Sequence, residues 1–116
     1  MVAVGRLKAG PEREMLDRYL DRADKAGRQL SLSFDLRELA ESAARQPSAR
    51  QAGEAESIAA AIPPGAVVVV LDARGKPVTS RALADRIAEW RDSGRDMAFV
   101  IGGPDGLAPD TIARAD

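Results

Sequence analysis

Two short stretches carry residues whose types and spacing could do chemistry. Leu71-Asp72-Ala73-Arg74-Gly75-Lys76-Pro77 follows a valine-rich run, and Ile101-Gly102-Gly103-Pro104-Asp105-Gly106-Leu107 follows a second apolar run. Glycines at 102, 103 and 106 permit positive φ and keep Cβ atoms out of the way of a flat ligand. Main-chain N–H and C=O groups freed in this way can read an adenine edge or ribose hydroxyls without help from side chains. Taken alone, Gly-Gly-Pro-x-Gly is more often a plain strand-to-helix turn. Asp72, Arg74 and Lys76 equally describe a solvated turn with a weak ion pair. The glycine pattern is neither GxGxxG nor GxxxxGK[ST], so a dinucleotide or triphosphate site has little support.

Other chemistries are excluded by composition. The 116 residues include no cysteine and no histidine, which removes disulfides, thiolate chemistry and every Ser/His/Asp or Cys/His nucleophile arrangement. A metal would have to rest on carboxylates alone, which suit Mg²⁺ or Ca²⁺ better than zinc; no metal site is expected. No pair of carboxylates stands at a spacing suited to acid–base work, and no catalytic residue is assigned. A net charge of −1 argues against a general nucleic-acid binder, which carries a basic surface. The longest strongly apolar run, Ala66 to Leu71, is too short to span a bilayer, and no signal peptide is legible. A cytoplasmic protein without membrane partners is the default expectation.

The elements that must position the two loops follow from periodicity. Hydrophobic residues make up 45% and charged residues 30%, a globular balance for one domain over 1–116. Val2-Ala3-Val4 reads as a short buried strand. Pro11 to Ala26 places Met15, Leu16, Tyr19, Leu20 and Ala23 on one helical face, with its charges forming the solvated one. Leu30, Leu32 and Phe34 alternate with Ser31 and Ser33, predicting a second strand; Leu36 to Arg45 reads as loop with a helical turn. Ser48 to Ile62 is a helix, ended by Pro63-Pro64-Gly65. Ala66 to Leu71 is a β-branched run without alternation, the pattern of a strand buried on both faces in the middle of a parallel sheet. Thr79 or Ser80 caps a helix with Leu83, Ile87 and Trp90 on its core face, closed by Gly94. Met97 to Ile101 is a last strand, and a final helix begins near Pro109. The order β-α-β-α-β-α-β-α predicts an α/β domain with a mainly parallel sheet and helices on both faces. In such a sheet ligands gather at the carboxyl ends of strands, where both loops fall.

At these loops the sequence resembles the RlmH family, the ribosomal RNA large subunit methyltransferases H. The resemblance is carried by VAVGRLKAGPE at 2–12, GEAESI at 53–58, VVVLDARGKPVTSRALA at 68–84 and RDMAFVIGGPDGL at 95–107. It implies a SPOUT-type fold with a C-terminal α/β knot, homodimers, and methyl transfer from S-adenosylmethionine to N3 of a pseudouridine in 23S ribosomal RNA of the assembled ribosome. It further implies that Leu71 and Gly103 contact the adenosine part of the cofactor through their backbone, with Gly102, Pro104 and Gly106 shaping the facing loop. The family's His- and Arg-containing tail has no counterpart before Asp116, so the domain is expected to be incomplete at its C-terminus, without the knot segment, and inactive as it stands. The rival reading is a non-catalytic dimerising or ribosome-docking module of the same fold.

Overall fold

The computed structural model describes residues 1–116. Its elements are β1 (Val2–Val4), α1 (Pro11–Gly27), β2 (Arg37–Leu39), α2 (Pro47–Ala61), β3 (Val67–Leu71), α3 (Ser80–Asp92), β4 (Met97–Ile101) and α4 (Pro109–Ala113), with a short 3₁₀ turn at Arg28–Leu30. The four strands form one sheet in the order β2-β1-β4-β3, with every pairing parallel. The chain reverses direction across the sheet between β2 and β3. With right-handed crossovers this places α1 and α3 on one face and α2 and α4 on the other. α2 packs on β1, β2 and α4, in agreement with that layout.

The core lies under α2 and α4. Val2, Val4, Val68 and Val100 project from one face of the sheet and meet Ile58 and Leu107. Val70 on the same face, Leu39 and Ile112 pack around them. The opposite face is only partly covered: Val67 is fully buried on it, but a hollow of about 1030 Å³ runs over the rest, lined by Val69, Leu71, Met97 and Phe99 from the sheet and Leu83 and Ile87 from α3. No helix is long and apolar enough to cross a membrane.

Helix boundaries follow local chemistry. Pro11, Pro47 and Pro109 open their helices, where a missing N–H costs nothing. Thr79 rather than Ser80 caps α3, its hydroxyl accepting the Ala82 N–H at 3.1 Å. Gly94 follows α3 with φ 71°, the left-handed position that favours glycine.

Two expectations are corrected. Leu30 to Phe34 is not a strand. Helix α1 runs on through Gly27 into the 3₁₀ turn, and Ser31 turns left-handed at φ 56°. The Leu32 N–H then returns to the Gly27 carbonyl at 2.9 Å. The chain folds so closely over Gly27 that a Cβ there would stand 2.6 Å from the Leu32 carbonyl oxygen. Leu30 and Phe34 are left largely exposed, and their alternation with serines is no sheet face. The second strand lies instead at Arg37–Leu39, which pairs beside β1; the Arg37 N–H meets the Met1 carbonyl at 2.9 Å, and the Gly5 N–H meets that of Leu39 at 2.7 Å.

The valine run is likewise not in the middle of the sheet. β3 is an edge strand whose burial fades from Val67 and Val68 to Leu71, which is 51% exposed. Its apolar residues are explained by the core on one face and the apolar hollow on the other, a pattern that does not distinguish edge from centre.

Candidate active site: the tips of two neighbouring strands

β3 and β4 are hydrogen-bonded neighbours in register, with Leu71 beside Ile101. The two loops singled out above therefore leave the sheet side by side at its carboxyl edge. Backbone direction along β3 alternates in an observable way. The Val67 N–H donates to Asp96, ahead of β4, whereas the Val68 N–H points outward to the Asp116 carboxylate. Two pairs on from Val67, the backbone of Leu71 also faces β4, where it pairs beside Ile101 at the last rung of the ladder. The Leu71 side chain faces the apolar hollow.

The loop after β3 is a closed turn. The Gly75 N–H donates to the Asp72 carbonyl at 2.9 Å, and the Asp72 carboxylate accepts the Arg74 N–H at 2.8 Å and its Nε and Nη2 at 2.9 Å each. The guanidinium hydrogen bonds, followed by the backbone N–H, hold the Asp72 carboxyl at about 2, well below the usual 3.8. Both side chains are spent on each other, so this turn presents Leu71 and main chain rather than a reactive carboxylate. Lys76 lines the hollow, and Asp72 and Gly75 do as well.

The loop after β4 is a second tight turn. The Gly106 N–H donates to the Gly103 carbonyl at 3.0 Å, with Pro104 and Asp105 at the corner. The three glycines of this turn do not share a positive φ. Only Gly106 has positive φ, at 77°. A Cβ at Gly102 would stand 2.9 Å from Leu107 Cγ, and one at Gly103 would stand 3.0 Å from Val4 Cγ1 and 3.4 Å from Glu54 Oε2. Gly102 and Gly103 are thus required by close packing against the protein, while a Cβ at Gly106 would meet nothing within 4 Å. Leu71 borders the large hollow; Gly102, Gly103, Pro104 and Gly106 lie outside its lining.

Sequence reasoning passed over the residues that hold the second turn. Arg50 of α2 forms a two-pronged ion pair with Asp105, at 2.6 and 3.0 Å, and the adjacent Gln51 amide donates to the Asp105 carbonyl. Glu54, 4% exposed, accepts the Ser42 N–H at 3.0 Å. Their signal was the one-turn spacing of 50, 51 and 54 on a helix, hidden in an alanine-rich segment that reads as generic amphipathic surface.

A family model described as predicted SPOUT methyltransferase matches residues 1–116. The chain belongs to the SPOUT methyltransferase family. Among curated relatives, the ribosomal RNA large subunit methyltransferase H of Methylobacterium nodulans is 52% identical over 118 residues, covering 100% of this chain and 73% of the relative. Proteins of the same name from Bradyrhizobium sp. strain BTAi1 and Cereibacter sphaeroides strain KD131 are 51% and 50% identical, with 99% and 100% of this chain and 73% of each relative covered. The resemblance carried by the two loops is therefore one of the whole chain. In this SPOUT domain no cluster of three or more His, Cys, Asp or Glu side chains that could hold a metal is present.

Proposed function

We propose that this chain is the cofactor-binding body of an S-adenosylmethionine-dependent methyltransferase that acts on large-subunit ribosomal RNA, at N3 of a pseudouridine in 23S RNA of the assembled ribosome. The observation that carries the reading is the juxtaposition of the Leu71 and Gly103 strand tips, in a chain about half identical to proteins named for that activity. The residues present fit an adenosyl group. Leu71 offers an apolar flank at the end of the ladder, bordering the hollow, and Gly102, Gly103, Pro104 and Gly106 form a turn that offers main chain rather than charge. When bound, the cofactor supplies a methyl group on a positively charged sulfonium. The protein's part is then largely to hold donor and acceptor in line.

Three of the chain's carboxylates at this edge are poor proton acceptors. Asp72 is tied to Arg74 and Asp105 to Arg50, and Glu38 accepts the Leu7 N–H and an Arg13 guanidinium, so all three titrate below their usual range. Their role is to shape loops, and no residue of this chain is assigned the N3 proton. Homodimerisation, as the family resemblance implies, and a cytoplasmic location are part of the same proposal.

Calorimetry with S-adenosylmethionine, S-adenosylhomocysteine and ATP, on protein expressed from its full open reading frame, tests the reading. Binding of the first two without ATP is expected, together with transfer of labelled methyl to 23S RNA in ribosomes. Preference for ATP would overturn the cofactor assignment. Cofactor binding with no methyl transfer to ribosomes or free RNA would favour the non-catalytic docking module instead.

A further inference from the structure

The glycine turn closes on itself through one main-chain hydrogen bond, from the Gly106 N–H to the Gly103 carbonyl, and has few side chains to anchor it further. Three of its five residues from Gly102 to Gly106 have no side chain to pack, and glycine loses more conformational freedom on ordering than any other residue. A site built from main-chain atoms gains affinity only when that main chain is already in place. The structure shows what supplies the constraint. Arg50 directs Nε and Nη2 at the two oxygens of Asp105, while its Nη1 donates to the carbonyls of Ala44 at 3.0 Å and Arg45 at 2.8 Å. Gln51 holds the Asp105 carbonyl from the same helix, and Glu54 backs Gly103 while it accepts the Ser42 N–H. The Arg50 and Asp105 side chains are mostly covered, at 28% and 22% exposure, so water screens this pair less than a surface ion pair. Its fork geometry also fixes orientation as well as distance.

We infer that Arg50, assisted by Gln51, is the positioning residue of the cofactor turn: through Asp105 it fixes the main chain of Gly102–Gly106 for the adenosyl group and ties that turn to the 42–46 loop. The inference rests on the cofactor reading above. Neither Arg50 nor Asp105 need touch the ligand; they act on it through the backbone they hold.

The test is a double-mutant cycle with Arg50→Ala and Asp105→Asn, the second keeping side-chain volume and the Gln51 contact. Each single variant is expected to weaken S-adenosylhomocysteine binding by about tenfold, the scale of one charge-assisted pair. The double variant should lose no more than the weaker-binding single. Without ligand, the Gly103 and Gly106 amides should exchange faster with solvent in Arg50→Ala, and kcat at saturating cofactor should stay near wild type while the cofactor KM rises. Arg50→Lys, which keeps the charge and loses the fork, should recover only part of the affinity. Unchanged affinity in both single variants, or additive losses in the double, would overturn the inference. A Gly106→Ala variant separates the two levels. If it loses cofactor while Arg50→Ala does not, the site stands and the positioning role falls. If the ligand leaves the Gly102–Gly106 amides of the wild type unmoved, the cofactor reading itself falls, and this inference with it.

Discussion

Asp72 and Arg74 illustrate how much a two-residue spacing can accomplish. An aspartate two positions before an arginine accepts both its backbone N–H and its guanidinium, so a single carboxylate closes the turn after β3 and keeps itself ionised. The sign of the pH dependence follows. The folded carboxyl titrates at about 2 against an ordinary 3.8, so the pair's contribution is complete above that ordinary value and fades as pH falls toward 2. Following the Asp72 carboxyl by NMR should give a midpoint near 2, and Arg74→Ala should move it up toward the ordinary value. An unmoved midpoint would mean that the guanidinium does not hold the carboxylate. At this scale the sequence was only half legible. It displayed Asp72, Arg74 and the glycines as candidates, but not that Asp72 is consumed by its neighbour. Nor did it show that the missing side chains of Gly102 and Gly103 make room for Leu107 and Val4 rather than for a ligand.

At the scale of elements, two glycines with nearly the same positive φ make a controlled comparison. Gly94 after α3 and Gly106 in the cofactor turn have φ of 71° and 77°, and a Cβ on either would meet nothing within 4 Å. Replacing either by alanine should therefore cost the same left-handed penalty, about 1–2 kcal/mol, seen as matching drops in thermal midpoint. Only Gly106→Ala should also weaken S-adenosylhomocysteine binding. Equal affinity in the two variants would remove Gly106 from the site. The elements read best from sequence were those with a strong local signal: prolines at the starts of α1 and α4, Gly94 at the end of α3, and the unbroken apolar runs of β3 and β4. The misplaced second strand shows where local reading stops. Arg37-Glu38-Leu39 has no β pattern of its own; it is recruited by the free edge of β1 and by the Arg13–Glu38 ion pair at 2.6 Å, both long-range facts. The Leu30–Phe34 alternation was instead absorbed into the return of the chain over Gly27.

For the molecule as a whole, topology turns two unremarkable loops into one site. Residues 71 and 103 are far apart in sequence, and nothing local requires their strands to be partners. The β2-β1-β4-β3 order makes them so, with α2 bracing the β4 loop from the core side of the sheet. Fold class was readable because alternating strands and helices leave few arrangements open. Strand order was not, since an apolar run fits an edge beside a hollow as well as a centre. The most direct test is an amide NMR titration with S-adenosylhomocysteine on isotope-labelled protein. The two-tip grip predicts that the largest shifts cluster at Leu71 and at Gly102, Gly103 and Gly106, with Gly94 unmoved as an internal control. Shifts confined to the β2 edge, or none at saturating ligand, would contradict it.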